Sequence, residues 1–140
     1  MASVFTMIIN GDLPGHFLWK DDQAVAFLSI NPTNRGHALV VPRYEVDHWV
    51  ELPTSLNQHL MAVAHHVATV QQELYKPARV GLLVAGFEVP HVHVHVIPID
   101  TMGNFDLTSA ATEVDHGELA KTAAEIREAL LSNGHVEAQA

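Results

Sequence analysis

Histidine occupies every second position from His91 to His95, and valine fills the positions between them. Successive side chains leave a β-strand on opposite faces, so this alternation predicts a half-buried strand over residues 91–98. The three imidazoles would then share one face in a row about 13 Å long, because residues two apart are separated by about 6.6 Å along a strand. Such a row is long enough to contact one phosphate group and its ester substituents.

A row of imidazoles can supply a nucleophile and proton donors side by side at neutral pH. Each neutral ring offers one donor nitrogen and one acceptor nitrogen, and it changes charge near pH 6.5. A neutral nitrogen attacks an anionic phosphorus centre without charge repulsion, and the resulting phosphohistidine is labile enough to hydrolyse. The row could therefore hold a nucleophile beside proton donors around a phosphate group, although the pattern by itself leaves the three histidines equivalent.

The hydrophobic periodicity of the chain predicts the strands that must hold this row. Two short strands around an acidic turn form a hairpin, and a third strand opens with His37. A fourth is apolar on both faces, which favours a central position, and a short turn over residues 86–90 would lead it antiparallel into the histidine strand. These four strands are predicted at residues 16–20, 23–28, 37–42 and 79–85.

Three helices complete the predicted fold. Ser3 can cap a short first helix, and a capping box formed by Ser55 and Gln58 begins a long helix that ends at Pro77. A C-terminal helix is predicted over residues 118–131, followed by a frayed tail. The predicted fold class is α+β, with about five antiparallel strands against one long helix. Residues 1–110 would form the main domain, and residues 111–140 would belong to the same single domain.

Composition excludes several classes of function. The formal net charge is -9 and only seven residues are lysine or arginine, which argues against binding to nucleic acid by phosphate neutralisation. The chain has no cysteine, so disulfides and thiolate metal sites are excluded. No stretch approaches 18 consecutive apolar residues and the start lacks a basic leader, so we expect a cytoplasmic protein with no membrane partner.

The histidine row resembles the signature of the histidine triad (HIT) superfamily, in which three histidines alternate with apolar residues and two further apolar residues follow. The segments 5–14, 21–27 and 30–42 also resemble that family, in particular its bacterial HIT/HINT-like branch. The similarity covers about the first hundred residues. It implies a HIT-like fold and a homodimer joined through the long helix and the strand before the triad.

The resemblance also implies a function, and it assigns roles to the histidines. His93 would attack the α-phosphate of a purine nucleotide derivative, such as a phosphoramidate, an anhydride or an acyl-nucleotide. His95 would donate to the phosphate oxygens, His91 would protonate the leaving-group side, and His37 would orient the site. This mechanism requires no cofactor and no metal. The nucleotide itself would contact Phe5, Ile8, Leu13, Ser29, Ile30, Asn31 and Glu88.

The sequence departs from the family pattern at three places. The loop before the triad is short, and it brings Glu88 close to the phosphate, which a carboxylate would repel. Ser29 stands where many relatives have an aspartate for the ribose hydroxyls. Some relatives bind zinc through N-terminal cysteines and a histidine after the third strand, whereas this chain has no cysteine and has Glu45 at that histidine's position.

Two other kinds of function fit the same residues. His91, His93, His95 and His37 could form an imidazole cage for a metal ion, since zinc sites commonly use three histidines. The altered loop also fits a nucleotide sensor or scaffold that binds without turnover. Turnover of adenosine phosphoramidates and polyphosphates, measured beside calorimetric binding of AMP, separates these possibilities.

Overall fold

A computed structural model describes residues 2–140, so that of the predicted domain only Met1 lies outside the described residues. The sheet has five antiparallel strands, which are β1 (Phe17–Lys20), β2 (Ala24–Leu28), β3 (Ala38–Pro42), β4 (Arg79–Leu83) and β5 (Val94–Ile99). They lie in the order β1-β2-β3-β5-β4. The α+β fold class predicted from the sequence is confirmed.

Side chains of the central strands alternate between two buried layers. Ala26, Val40 and Val96 point to the side that the two longer helices cover. Their neighbours Phe27, Leu39 and His95 point to the opposite side and stand next to one another across β2, β3 and β5. Period-2 alternation thus places His95 on the face away from the main core.

Two helices cover one face of the sheet. Helix α2 (Thr54–Tyr75) and helix α3 (His116–Ser132) bury residues such as Val67 and Ile126 in a common core. The predicted capping box at the start of α2 is wrong, because the N-cap is Pro53 and makes no side-chain bond. Nowhere in residues 2–140 does a helix combine the length and the apolarity that crossing a membrane requires.

The opposite face carries helix α1 (Val4–Ile9). Ser3 caps it as predicted, since its hydroxyl accepts a hydrogen bond from the backbone N–H of Thr6. The ring of Phe5 packs on this face of the sheet, with its centroid 5.6 Å from that of Phe27. Helix α1 leaves part of the sheet uncovered, and the candidate site lies there.

Strand β4 is an edge strand, so its predicted central position is wrong. It pairs with β5 alone, and Leu82 is 47% exposed. One face of this edge strand is nevertheless covered, because the ring of Phe105 packs so closely on Gly81 that any side chain there would overlap it. The strand also ends at Leu83, so the connection to β5 is the ten-residue segment 84–93, longer than the predicted turn over 86–90.

The C-terminal tail is docked, and the prediction that it frays is wrong. The backbone N–H of Lys20 donates to the carbonyl of Glu137 at 2.9 Å, which adds the tail to the edge of β1. Ala138 is buried, and the His135 ring lies 4.2 Å from that of His66 on α2. These contacts are long-range, so no local sequence signal predicts them.

Candidate active site

A cavity of about 410 Å³ opens on the α1 face of the sheet, at the start of β5. His93 and His95 line it, whereas His91 and His37 lie behind these two rings. The seven residues expected to contact a nucleotide also line the cavity, and the structure therefore brings together Phe5, Ile8, Leu13, Ser29, Ile30, Asn31 and Glu88.

The hydrogen bonds of His93 leave one ring nitrogen free for chemistry. Its Nδ1 lies 2.8 Å from the backbone carbonyl oxygen of His91. A carbonyl only accepts, so Nδ1 carries the proton and Nε2 of the neutral ring keeps its lone pair. The Phe5 ring packs edge-on against the imidazole at 4.9 Å between centroids and limits its rotation. Nε2 of His93 can therefore act as a nucleophile.

A relay of two consecutive hydrogen bonds makes Nε2 of His95 a proton donor, whereas Nε2 of His93 has a lone pair. The backbone N–H of Thr33 donates to Nδ1 of His37 at 3.2 Å, so the proton of neutral His37 sits on Nε2. That Nε2 donates to Nδ1 of His95 at 2.9 Å. The remaining nitrogen of neutral His95, Nε2, then carries a proton. The site thus has a lone pair on His93 and an N–H donor on His95, with the two rings 5.0 Å apart.

His91 does not reach the cavity, which disagrees with its predicted place at the leaving group. The residue is 0% exposed, and its Nε2 donates to the carbonyl of Pro42 at 2.8 Å. Its Nδ1 lies 2.6 Å from the hydroxyl of Ser3, which donates to it. Both ring nitrogens are engaged, so His91 holds the backbone carbonyl that orients His93.

A polar network joins helix α1 to this buried histidine. The carboxylate of Glu45 accepts from the backbone N–H of Ser3 and from the hydroxyl of Thr6, each at 2.7 Å. These two bonds lower the pKa of Glu45 to about 2. Apart from the helix cap, no local pattern predicts this network, because Glu45 lies 42 positions from Ser3.

Burial keeps the imidazoles of the site neutral at pH 7. It lowers the pKa of His37 to about 3 and that of His95 to about 4, and neighbouring histidines add to each shift. Burial also lowers the pKa of His93, although the His91 carbonyl and the charge of Glu88 favour its protonated form. Neutral rings are what the nucleophile and the relay described above require.

Apolar side chains dominate the rest of the cavity. Phe27 and Leu39 form its floor on the sheet and were not predicted to contact a ligand. Strand parity could have identified them, because they share a face with His95. The hydroxyl of Ser29 accepts from the backbone N–H of Asn31 at 3.2 Å, so its proton remains available to a ligand oxygen.

His116 also lines the cavity, although no pattern in the sequence predicted this. This residue begins helix α3 and comes from the segment beyond the triad. A single histidine before a helix carries no signal for such a role.

The four histidines do not converge on one point as a metal cage would. His91 and His37 each use both ring nitrogens in hydrogen bonds to other groups. Within residues 2–140, no cluster of three or more His, Asp or Glu side chains has an arrangement that could hold a metal ion.

Comparison with known proteins gives consistent similarities. The family model for the HIT domain matches residues 10–102. An uncharacterized HIT-like protein of Methanocaldococcus jannaschii is 36% identical over 99 residues, which cover 68% of this chain and 77% of the relative. An adenosine 5′-monophosphoramidase of Saccharomyces cerevisiae is 31% identical over 122 residues, which cover 86% of this chain and 77% of the relative.

The fold is also similar to that of a solved structure. A hypothetical histidine triad nucleotide-binding protein from Sulfolobus tokodaii superimposes with a TM-score of 0.82 and 25% sequence identity. The superposition covers 97% of this chain and 99% of the other.

Proposed function

This chain belongs to the histidine triad (HIT) family, and we propose that it hydrolyses purine nucleotide derivatives at the α-phosphate. The proposal rests on one observation: two neighbouring rings in the cavity present an acceptor nitrogen and a donor nitrogen side by side. His93 presents a lone pair there, and His95 presents an N–H. A phosphoryl group between them would meet a nucleophile and a proton donor together.

The proposed reaction passes through a nucleotidyl-histidine. Nε2 of His93 forms a bond to the α-phosphorus while the bond to the leaving group breaks and the leaving group keeps the electron pair. His95 donates to a non-bridging oxygen, where negative charge grows. The His93 ring becomes a cation, which the carbonyl of His91 stabilises through Nδ1–H. Water then attacks phosphorus, the P–N bond breaks, and a nucleoside monophosphate is released.

Because His91 is buried, it is not placed to protonate the leaving group. The cavity is open at its mouth beside the exposed Glu88, so water rather than His91 would supply the proton to the departing group. An arrangement of this kind favours leaving groups that need little assistance. The candidate substrates are phosphoramidates, anhydrides and acyl-nucleotides, and the yeast relative is named for activity on the first of these classes.

Turnover and binding measured together test this function. Hydrolysis of adenosine 5′-phosphoramidate is followed by release of AMP, and AMP binding is titrated by calorimetry on the same protein. We expect both. Binding of AMP without turnover of a phosphoramidate, an adenylate anhydride or an acyl-adenylate would favour a nucleotide sensor, for which Glu88 at the cavity mouth is the supporting observation. Absence of both overturns the proposal.

Glu88 is expected to slow the reaction through its negative charge. The side chain lines the cavity near His93, where its charge would repel an anionic phosphate at pH 7. At lower pH the same charge also favours the protonated, inactive form of the His93 ring. We predict that Glu88→Gln raises kcat/KM at pH 7 about three- to tenfold, the scale of one unit charge acting across a solvated site. The acid limb of the pH profile should move to lower pH, because the pKa of His93 falls when the carboxylate is removed.

Salt gives a second signature for Glu88. The advantage of the variant should shrink at high ionic strength, where exposed charges are screened. Glu113→Gln, which removes an exposed carboxylate outside the cavity, serves as the matched control. Lower activity of Glu88→Gln at every pH would mean that Glu88 assists the reaction.

We propose that a second copy of this chain pairs along the exposed edge of β4. An edge strand presents unpaired backbone groups that can hydrogen-bond to another strand. Leu82 on β4 and Leu74 on α2 are 47% and 39% exposed, which leaves apolar surface beside that edge. Light scattering at micromolar concentration should give the mass of two 15.3 kDa chains.

The variant Leu82→Glu should shift this mass toward one chain. Leu131→Glu alters a leucine of similar exposure, 52%, at the end of α3, and it should leave the mass unchanged. A monomer in the wild-type protein would contradict the proposed dimer.

A further inference from the structure

Two histidines pair at the end of the cavity farthest from the catalytic rings. Nε2 of His16, just before β1, lies 2.9 Å from Nδ1 of His116 at the start of α3, and the two rings stack with centroids 5.2 Å apart. His116 lines the cavity. It lies outside the segment 10–102 that the family model matches, so nothing in that comparison assigns it a role.

The sheet gives the separation between β1, which lies beside this pair, and His95. Phe17, Phe27, Leu39 and His95 stand side by side on four neighbouring strands, with Phe17 next to His16. Three inter-strand steps separate the ends of this row, which amounts to about 14 Å. A nucleotide with its phosphate at His93 and His95 and its base over Phe27 would therefore point the far edge of that base toward His116.

Several contacts hold His116 at this place. Asp115 caps α3 by accepting from the backbone N–H of Glu118 at 3.1 Å. Farther along the helix, Arg127 donates to the carbonyl of Phe17 at 2.7 Å, which ties α3 to β1 beside His16. The segment before the helix is fixed as well, because the backbone N–H of Ala111 donates to the carbonyl of Pro32 at 3.0 Å.

We propose that His116 determines base specificity by hydrogen-bonding the far edge of a purine. The inference rests on the proposed function, because it requires a nucleotide in the cavity. Nδ1 of His116 is engaged by His16, which leaves Nε2 for the ligand. In either neutral tautomer Nε2 makes one hydrogen bond, as donor or as acceptor. The other groups around the base, such as Phe5, Ile8 and Leu13, are apolar and can distinguish bases only by their shape.

The length of the cavity selects the class of base. A purine has two fused rings and extends farther from the ribose than the single ring of a pyrimidine. A pyrimidine held by the same phosphate and ribose contacts would stop short of His116. The contact should therefore add affinity for purine nucleotides alone, and it should be absent for a ligand that has no base.

Calorimetric titration with three ligands tests this role. AMP, CMP and ribose 5-phosphate are titrated into the wild-type protein and into the variants His116→Ala and His116→Gln. We expect His116→Ala to weaken AMP binding about three- to tenfold, the scale of one net hydrogen bond. Binding of CMP and of ribose 5-phosphate should change less than twofold. Glutamine can donate and accept, so His116→Gln should recover part of the loss.

The design separates a base contact from damage to the fold. A variant that misfolds or loosens α3 would lose all three ligands together, and that uniform loss overturns the proposal. His65→Ala removes an exposed histidine on α2 that does not line the cavity, and it should bind like the wild type. AMP binding unaffected by His116→Ala overturns this inference alone. Failure of the wild-type protein to bind AMP at all overturns both this inference and the proposed function.

Discussion

The variant His93→Ala is expected to lose turnover of adenosine 5′-phosphoramidate by at least about 10³-fold, because removal of a nucleophile eliminates the covalent route. AMP binding should weaken by no more than about tenfold, since one hydrogen bond contributes about 0.5–1.5 kcal/mol to binding. The effect should therefore appear in kcat and leave affinity for the product largely intact. Steady-state kinetics and calorimetry on the same preparations measure the two quantities.

A covalent adduct gives the direct measurement. When a single turnover with an α-³²P-labelled substrate is quenched, the wild-type protein should carry label that acid releases, as expected of a P–N bond. His93→Ala should carry none. His65→Ala, with an exposed histidine removed from α2, should retain both label and turnover. Full activity of His93→Ala, or label that persists in it, would exclude His93 as the nucleophile.

The pH profile of the wild-type protein should reflect the ionisation of His93. His93 attacks as a neutral ring, and burial lowers its pKa below the usual value near 6.5. Activity that depends on the neutral form is complete above the folded pKa and falls as pH drops through it. We therefore expect kcat/KM to be level near pH 8, and we expect the midpoint of its decline to lie below pH 6.5.

Much of this site could be predicted because short-range patterns carry it. Alternation around His93 placed His95 and the valines on opposite faces, and the structure confirms that division for the residues of β5. The predicted strand begins too early, however, because β5 starts at Val94. Before that point the backbone no longer continues the ladder, and the carbonyl of His91 accepts from the ring of His93 instead.

The features that the sequence did not reveal depend on contacts between distant residues. Strand β4 looked central because its residues are apolar, but the ring of Phe105 covers Gly81 and the strand lies at the edge. The buried position of His91 could not be predicted for a similar reason. Ser3 and Pro42, which engage its ring, lie 88 and 49 positions away. Local periodicity contains no information about such pairs.

The second large effect is expected at His95, the proposed donor to the phosphate. Removing a single preorganised donor from a site where charge develops typically costs about 10²- to 10³-fold in kcat. We predict a loss of this size for His95→Ala, with little change in KM. His95→Gln keeps an N–H group that can reach the phosphate oxygen, so it should retain more activity than the alanine variant.

The relay behind His95 predicts a smaller, graded effect. His37→Ala removes the donor that fixes the tautomer of His95, so that Nδ1 and Nε2 of His95 can exchange the proton. The ring then offers its lone pair to the phosphate part of the time. We expect a loss between that of His95→Gln and that of His95→Ala, again in kcat. Thermal unfolding of each variant checks that the buried substitution leaves the protein folded at the assay temperature.

The pH dependence distinguishes donation by His95 from general damage. Burial and the neighbouring histidine hold the pKa of His95 at about 4, so this ring stays neutral throughout the assay range from pH 5 to pH 8. The acid limb of activity therefore belongs to His93 and should remain at the same pH in His95→Ala, while the plateau above it falls. Disappearance of the acid limb in His95→Ala would mean that His95, rather than His93, must lose its proton for the reaction to proceed.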